Sequence, residues 1–385
     1  MEKVVVGLSG GVDSAVTAYL LKQMGCEVTG VTLCMHEGAK KEAEDAKTAA
    51  ECIGIAHRSV DLRGRFQEKI IRYFTESYKQ GETPNPCIVC NPEMKWNALL
   101  CEADALGAKR VATGHYAGVV RLENGRFAIR CAASAAKDQA YVLYGLTQEQ
   151  LARTVMPLAA YEKQEVRKLA ADIGLLVAEK ADSMEVCFLP EKETYTDYII
   201  RTEGSRPSRG NFVDENGNIL GTHQGLIYYT VGQRKGLGIA FGEPRYVKEL
   251  RPAENEVVLS GNDALWSDTI YARDFKGMAI EYPEDGMRFL AKIRYSHKGA
   301  MCTVYREKEG LRCVFDEPQR AATPGQAVVF YREESFADTE NAVRTVHHGS
   351  VQALKGDEAA GSIRDSKGYV VAGGAVITRE GGNKI

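Results

Sequence analysis

Val4 to Val6 with Leu8 form a short apolar run, and Asp13 to Met24 (DSAVTAYLLKQM) carries apolar residues at helical spacing. A brief apolar run bounded by glycines predicts a buried strand, and the 3.6-residue period predicts a helix. The same alternation continues. Val28 to Cys34 predicts a second strand, Lys40 to Ile53 a helix and His57 to Leu62 a third strand. Arg65 to Tyr78 predicts an amphipathic helix with Phe66, Ile70, Tyr73 and Phe74 near one face. Glu93 to Leu106 predicts a helix and Arg110 to Thr113 another buried strand. Strands alternating with helices imply a parallel sheet covered on both faces, a doubly wound α/β fold.

Val119 to Leu122 and Arg126 to Arg130, joined through Glu123 to Gly125, predict a β-hairpin. Ala135 to Leu143 and Gln148 to Val155 predict helices, and Lys163 to Ile173 a helix ended by Gly174. Near residue 205 the pattern changes to short β-like runs between glycines: Asn211–Val213, Leu226–Val231, Tyr246–Leu250 and Glu256–Leu259. Thr269 to Tyr331 reads as strands and turns, a small β-barrel. Gly349 to Gly368 is polar, lies between strand-like Ala327–Tyr331 and Tyr369–Ile377, and reads as an insertion. The expected division is 1–204, 205–272 and 273–385, with the polar insertion near 333–367.

Bulk properties narrow the function without naming it. The chain has 385 residues, 44% hydrophobic and 26% charged, enough for two or three cores. No apolar run approaches a membrane span, and the chain opens on a strand rather than a leader, so a cytoplasmic protein is expected. A net charge of -3 argues against a generally basic nucleic-acid binder but leaves room for a local basic face. The ten cysteines should then be mostly reduced thiols. Cys26, Cys34, Cys52, Cys101 and Cys131 fall in apolar patterns and read as core residues, as do Cys302 and Cys313. Trp96 and Trp266 read as core or interface residues.

The candidate chemistry begins at Ser9-Gly10-Gly11-Val12-Asp13-Ser14. A strand, a glycine turn and a helix start bring backbone N–H groups and partial positive charge to one place, an anion site. No Lys-Ser/Thr pair follows, so this is not a Walker loop. It resembles the pyrophosphate loop of ATP-pyrophosphatases, which leave AMP on a substrate oxygen. The expected fold is therefore an α/β doubly wound N-terminal ATP-pyrophosphatase (PP-loop) domain, then a small central mixed/β domain and a C-terminal β-barrel. Ligands in such sheets bind at the carboxyl ends of the strands, around Ser9–Ser14, Leu33 and the loop after Val111. Asp13 is expected to help hold Mg²⁺ on the pyrophosphate.

Cys87-x-x-Cys90, in Thr83–Asn91 (TPNPCIVCN), admits a redox pair, half a zinc site or a plain turn. Its position beside the ATP crevice, with Cys187 in a polar loop, favours reactive thiols. An adenylating loop with thiols suits sulfur transfer. ATP activates a carbonyl oxygen as its adenylate, a persulfide sulfur displaces AMP, and a second thiol releases that sulfur by forming a disulfide. An amide-forming ligase on the same loop is the alternative, and it has no use for the two thiols.

The chain also resembles the tRNA-specific 2-thiouridylases (MnmA, also called TrmU). The resemblance rests on GLSGGVDS (Gly7–Ser14), TPNPCIVCN (Thr83–Asn91), ATGHYA (Ala112–Ala117), KDQAYVL (Lys137–Leu143), DSMEVCF (Asp182–Phe188), GTHQGLIYYTVGQRKGLGI (Gly221–Ile239), IRY (Ile293–Tyr295) and PGQAVVFY (Pro324–Tyr331). It implies that Gly7, Leu8, Ser9, Gly10, Gly11, Val12, Asp13, Ser14, Leu33 and Gly114 line the ATP site. Cys90 would be the nucleophile and Cys187 would carry the persulfide. His115, Lys137, Asp138, Gln139, Arg294, Tyr295 and Gln326 would contact tRNA, as would the central domain. The product would be 2-thiouridine at the wobble position of tRNAs for Lys, Glu and Gln. A cysteine desulfurase or a sulfur-relay protein would supply sulfur.

Many members of that family carry aspartate where this chain has Cys87. Two expectations follow: Cys87, Cys90 and Cys187 hold a [4Fe-4S] cluster with one open iron, or Cys87 is a spare or resolving thiol in persulfide chemistry, which is favoured. Arg234 and Lys235, in Gly232–Gly236, are further candidates for phosphate contact. His347 and His348 read as an exposed loop pair rather than a metal site.

Overall fold

The computed structural model describes residues 1–179, 186–190, 192–239, 242–337 and 365–379. The chain opens with β1 (Lys3–Gly7), α1 (Val12–Gln23), β2 (Glu27–Cys34), α2 (Ala39–Ile53) and β3 (Ala56–Asp61). A helical run from 63 to 79 follows: α3 (Arg63–Phe66), a π turn (Gln67–Ile71) and α4 (Arg72–Lys79). A second run, 86 to 106, joins α5 (Pro86–Cys90), another π turn (Asn91–Trp96) and α6 (Asn97–Leu106). Then come β4 (Arg110–Ala112), the hairpin β5 (Ala117–Arg121) and β6 (Phe127–Cys131), α7 (Gln148–Ala152), β7 (Thr154–Val155), α8 (Lys163–Asp172) and α9 (Tyr195–Glu203).

Val4, Val5 and Val6 are all buried, as an apolar run between two helical layers requires. β1 sits in the middle of a five-stranded sheet in the order β3-β2-β1-β4-β7, every pair parallel. The order reverses beside β1, which opens a crevice at the carboxyl ends of β1, β2 and β4. The doubly wound α/β domain is as expected.

The segment 135–143 differs from its expected helix. A turn at 135–137 is followed by a short 3-10 helix, Ala140–Leu143, and no α-helix forms. Ala132 N donates to the Asp138 carboxylate at 2.8 Å and Tyr116 N to Gln139 Oε1 at 2.9 Å. These side chains bond strand and loop backbone, which competes with helix formation.

A four-stranded sheet forms the central unit: β8 (Gly210–Val213), β9 (Ile219–His223), β10 (Tyr246–Arg251) and β11 (Glu256–Ser260), in the order β10-β11-β8-β9. The last strands are β12 (Trp266–Gly277), β13 (Met287–Lys292), β14 (Ala300–Glu307), β15 (Gly310–Arg320), β16 (Ala327–Ala337) and β17 (Asp365–Thr378). They close into a barrel in the order β12-β15-β14-β13-β16-β17, with β17 pairing back to β12. Alternate residues such as Phe289, Ala291, Cys302, Val304, Cys313 and Phe315 fill its interior.

The barrel is not detached from the first domain. Val370 of β17 pairs with Arg130 of β6, so the hairpin extends the barrel sheet. Leu99, Ile129, Leu143, Val329 and Val371 share one core. The β16–β17 ladder runs out to Ala337 opposite Asp365, so both ends of the expected insertion belong to strands. Its middle, with His347 and His348, lies outside the described residues.

Cysteine burial corrects the sequence reading. Cys302 and Cys313 are buried, but Cys52 and Cys101 are exposed and Cys26, Cys34 and Cys131 only half-buried. Cys52 and Cys101 occupy the outer turns of amphipathic helices, where an apolar-looking pattern does not ensure a neighbour. Trp96 is fully buried, whereas Trp266 at the start of β12 is 49% exposed.

Candidate active site

The loop from Leu8 to Ser14 is built by close backbone approach. Gly10 has φ 69°, and a Cβ there would stand 2.5 Å from the Glu42 carbonyl oxygen. Gly114, after β4, lies against the start of α1, where a Cβ would come within 2.7 Å of Ser14 N. Neither position admits a side chain. Ser9 N donates to Ser14 Oγ at 3.1 Å, and Ser14 Oγ donates to the Gly11 carbonyl at 3.1 Å. Gly7 packs on Leu99, Leu8 and Val12 are buried, and Leu33, next to last in β2, packs against the separate core that contains Val5 and Leu99. The backbone N–H groups at the start of the 12-residue α1 give this loop an anion-binding character.

Asp13 is committed elsewhere. Lys163 Nζ, at the start of α8, lies 2.8 Å from both of its carboxylate oxygens, and Tyr116 Oη donates to Oδ1 at 2.8 Å. The Lys163 ammonium and the Tyr116 hydroxyl are thus the partners of the carboxylate that the sequence assigns to Mg²⁺.

The thiols come from two directions. Asn85 caps α5 by accepting the Cys87 N–H at 3.2 Å, and Pro86 supplies a fixed φ at the first helical position. Cys87 and Cys90 are then one turn apart. Cys90 is buried, with its Sγ 4.0 Å from Met35 Sδ just beyond β2. Phe188 anchors the Cys187 segment: its ring meets Phe66 at 5.6 Å, Phe74 at 5.2 Å and Tyr198 at 5.3 Å. Cys90, Met94 and Phe188 belong to one apolar cluster. Cys187 keeps an exposed face while protein encloses its other sides. Burial pushes its thiol up to about 12, Lys95 pulls it down, and Cys87, Cys90 and Glu42 add to the rise. Burial also raises Cys90, again opposed by Lys95.

Lys95 was not singled out from the sequence. Burial pulls its ammonium down, but Cys90, Cys87 and Cys187 outweigh that and hold it above its ordinary value. The legible signal was its place five residues after Cys90, behind Pro92, in a helix that cannot stay regular. His115 follows β4 on the same side, its ring 5.6 Å from Trp96 and its Nδ1 2.9 Å from Thr113 Oγ1. Burial, with a smaller push from Lys95, takes its imidazole down to about 3, so it is neutral.

The chain matches three families in succession: the tRNA methyl transferase HUP domain over residues 2–191, the tRNA methyl transferase PRC-barrel domain over 197–261 and the aminomethyltransferase β-barrel domain over 267–336. It is 49% identical over 346 residues to the tRNA-specific 2-thiouridylase MnmA of Lachnoclostridium phytofermentans, covering 86% of this chain and 97% of that one. It is 43% identical over 343 residues to the tRNA-specific 2-thiouridylase MnmA of Clostridioides difficile, covering 86% and 95%. The chain belongs to the MnmA family of tRNA-specific 2-thiouridylases. A slighter likeness, with TM-score 0.33 and 19% identity over 49% of this chain and 61% of the other, links it to the U34-tRNA thiolase NcsA from Methanococcus maripaludis with its [4Fe-4S] cluster. That likeness carries no argument.

Several residues expected at the RNA surface of this MnmA-family chain already hold the structure together. Gln326 Nε2 donates to the Thr83 carbonyl at 2.8 Å, tying the barrel to the loop before Cys87. Tyr295 Oη donates to the Asp138 carbonyl at 3.1 Å, and Arg294 Nη1 to the Arg320 carbonyl at 3.2 Å. Tyr295 is nevertheless 47% exposed, and Lys137 stands beside Asp138 and Gln139 in the same loop. Arg234 and Lys235 are exposed on a loop fixed by Gln233, whose carboxamide bonds Thr230 N and the Lys235 carbonyl at 3.0 Å each.

Among the described residues, no group of three His, Cys, Asp or Glu is placed to hold a metal ion. Cys87, Cys90 and Cys187 share a neighbourhood, each of the three acting on the Lys95 ammonium. All ten cysteines are free thiols. No helix among the described residues is long and apolar enough to cross a membrane.

Proposed function

We propose that this chain adenylates and 2-thiolates a uridine of tRNA. The observation that carries the reading is that Cys90 lies against Met35, just past the carboxyl end of β2, and shares an apolar cluster with Phe188 beside Cys187, at the sheet edge where the anion loop follows β1, in a chain of the 2-thiouridylase family. The Ser9–Ser14 loop binds the phosphates of ATP, and the uridine O2 attacks the α-phosphorus with loss of pyrophosphate. The base must leave its stack to reach the loop, so a splayed anticodon base, the wobble uridine of tRNAs for Lys, Glu and Gln, fits the site. Gly7 to Val12, Leu33 and Gly114 line the nucleotide site. His115, Lys137 to Gln139, Arg294, Tyr295 and Gln326 lie on the RNA side.

Sulfur arrives as a persulfide on Cys187. The Cys90 thiolate attacks the sulfur bonded to Cys187 carbon, forms a Cys90–Cys187 disulfide and releases hydrosulfide. Hydrosulfide adds at C2, AMP leaves, and a thiol reductant reopens the disulfide. A cysteine desulfurase or relay protein loads Cys187, in the cytoplasm where tRNA and ATP meet. Cys87 is an accessory thiol. The [4Fe-4S] alternative would use the same three sulfurs, Cys87, Cys90 and Cys187, as cluster ligands.

The test is nucleoside mass spectrometry of tRNA incubated with the protein, ATP and a persulfide donor. Formation of 2-thiouridine, with its loss in Cys90→Ser and Cys187→Ser while ATP binding persists, supports the reading. 4-Thiouridine instead, or full activity without either cysteine, overturns it. An active preparation without iron removes the cluster alternative.

A further inference from the structure

The chain enters the anion loop through one peptide unit that is held from two sides. Gly7, the last residue of β1 in register with β2, lies opposite Val31. Leu8 N then donates to the Val31 carbonyl at 2.8 Å before the chain turns away. The Leu8 carbonyl is buried and accepts from Thr32 Oγ1 at 2.8 Å. The N–H of Ser9 belongs to the same planar unit and donates to Ser14 Oγ at 3.1 Å. Thr32 thus fixes one edge of the unit and the start of α1 the other. A rotation of this peptide would turn Ser9 and Gly10 with it and redirect the loop.

Thr32 has a second partner. His57 Nε2, from β3 at the edge of the sheet, lies 2.8 Å from the same Oγ1. This approach depends on Gly30, opposite His57 in the ladder. A Cβ at Gly30 would stand 2.3 Å from Leu8 Cδ1 and 3.6 Å from the His57 ring. A hydroxyl has one proton to give, and a carbonyl oxygen only accepts. The Thr32 proton is therefore committed to Leu8, and the contact with His57 is attractive only when Nε2 carries a proton and donates it. Burial, then Lys47 of α2, holds the imidazole below its ordinary value against the opposing Glu51. The neutral ring is thus the Nε2–H tautomer. Protonation of Nδ1 would leave the same donor in place, so the relay does not depend on the charge of the ring.

We propose that Thr32 and His57 are positioning residues for nucleotide binding. The relay from His57 Nε2–H through Thr32 Oγ1 to the Leu8 carbonyl sets the Leu8–Ser9 peptide, and with it the loop that faces the phosphates. The proposal rests on the reading of Ser9–Ser14 as the ATP loop and gives neither residue a contact with ATP. The tautomer is read directly on the full chain with 15N-labelled histidine, from the long-range 1H–15N couplings of the His57 ring above the ordinary histidine range. A protonated Nε2 with a bare Nδ1 is expected, and a bare Nε2 overturns the proposal.

Calorimetric titration with ATP then compares Thr32→Val, which keeps the shape and loses the hydroxyl, with Thr32→Ser, which keeps it. Thr32→Val strands the Leu8 carbonyl and is expected to weaken ATP binding about tenfold, with Thr32→Ser close to wild type. His57→Leu should weaken it roughly threefold, and His57→Gln, which still offers an N–H, should recover it. KM for ATP should rise while kcat and tRNA affinity hold. Thr48→Val, which removes an exposed hydroxyl of α2, is the control. A folded Thr32→Val or His57→Leu protein that binds ATP as wild type does overturns the proposal, because a hydroxyl that serves only the fold would lower the melting temperature alone. A Thr32→Ser protein as weak as Thr32→Val overturns it too. If Thr32→Val does not fold, the tautomer and the histidine variants still decide. A wild-type chain that binds no ATP refutes the nucleotide reading instead, and an Nε2–H ring in that chain leaves the clamp on the loop standing.

Discussion

Gly10 and His115 show how far single positions can be read from the chain. Gly10 was legible as part of an anion loop, because so tight a strand-to-helix turn needs a backbone conformation that glycine adopts without strain. That the Glu42 carbonyl closes over it was not, since α2 is about thirty residues away in sequence. Gly10→Ala is expected to cost about 1–3 kcal/mol of stability, from a positive φ and a displaced α2, and to abolish ATP binding. Calorimetric titration with ATP and a melting curve check both. His115 was read as a site residue from its place after β4, and its charge was not legible there. With its imidazole pushed down to about 3, it takes up a proton in the unfolded chain before it does so in the folded one. Stability from this group is complete above the ordinary histidine range and declines as pH falls through it toward about 3. NMR titration should find the His115 ring neutral at pH 5; protonation at ordinary histidine pH would refute this.

At the scale of elements, α5 and α8 deliver the chemistry. The prolines of Thr83–Asn91 read as a helix stop and an extended or turn segment, with the next helix from Glu93, whereas the structure restarts the helix at Pro86 under the Asn85 cap. Loss of the cap in Asn85→Ala is expected to destabilise the protein by about 1 kcal/mol and to slow thiolation by letting Cys87 and Cys90 fray. Thermal melting and single-turnover kinetics measure the two effects. α8 was readable as a helix, but its N-terminal Lys163 closing on Asp13 was not, because 150 residues separate them. Removing the cation leaves a bare carboxylate in the loop that binds ATP phosphates. Lys163→Met should weaken ATP binding about tenfold or more, and unaltered affinity would refute the role. The Asp13 reading lacked this partner for the same reason: an acidic residue in a phosphate loop suggests Mg²⁺, and nothing local announces Lys163.

Across the whole molecule, the two halves meet through β5 and β6. Arg126 donates from Nε to the Met278 carbonyl at 2.7 Å and from Nη2 to the Gly277 carbonyl at 3.3 Å, binding the hairpin to the barrel. Arg126→Ala should lose about 2 kcal/mol and split the unfolding transition in calorimetry, while a single unchanged transition would show that the hydrophobic seam suffices. The exposed Arg234 and Lys235 belong to the same scale, since the proposed RNA contact runs from the central unit to the crevice. Their double alanine variant should lower the salt slope of tRNA binding by about one per lost phosphate contact, and an unchanged slope would remove them from the interface. The sequence by itself determined the alternation of strand and helix, the anion loop and the thiols, because periodicity and turn chemistry are local. Only the tertiary structure decided which groups neutralise Asp13, which cation faces the sulfurs and how the barrel is joined, because burial and charge partners are set by segments far apart in the chain.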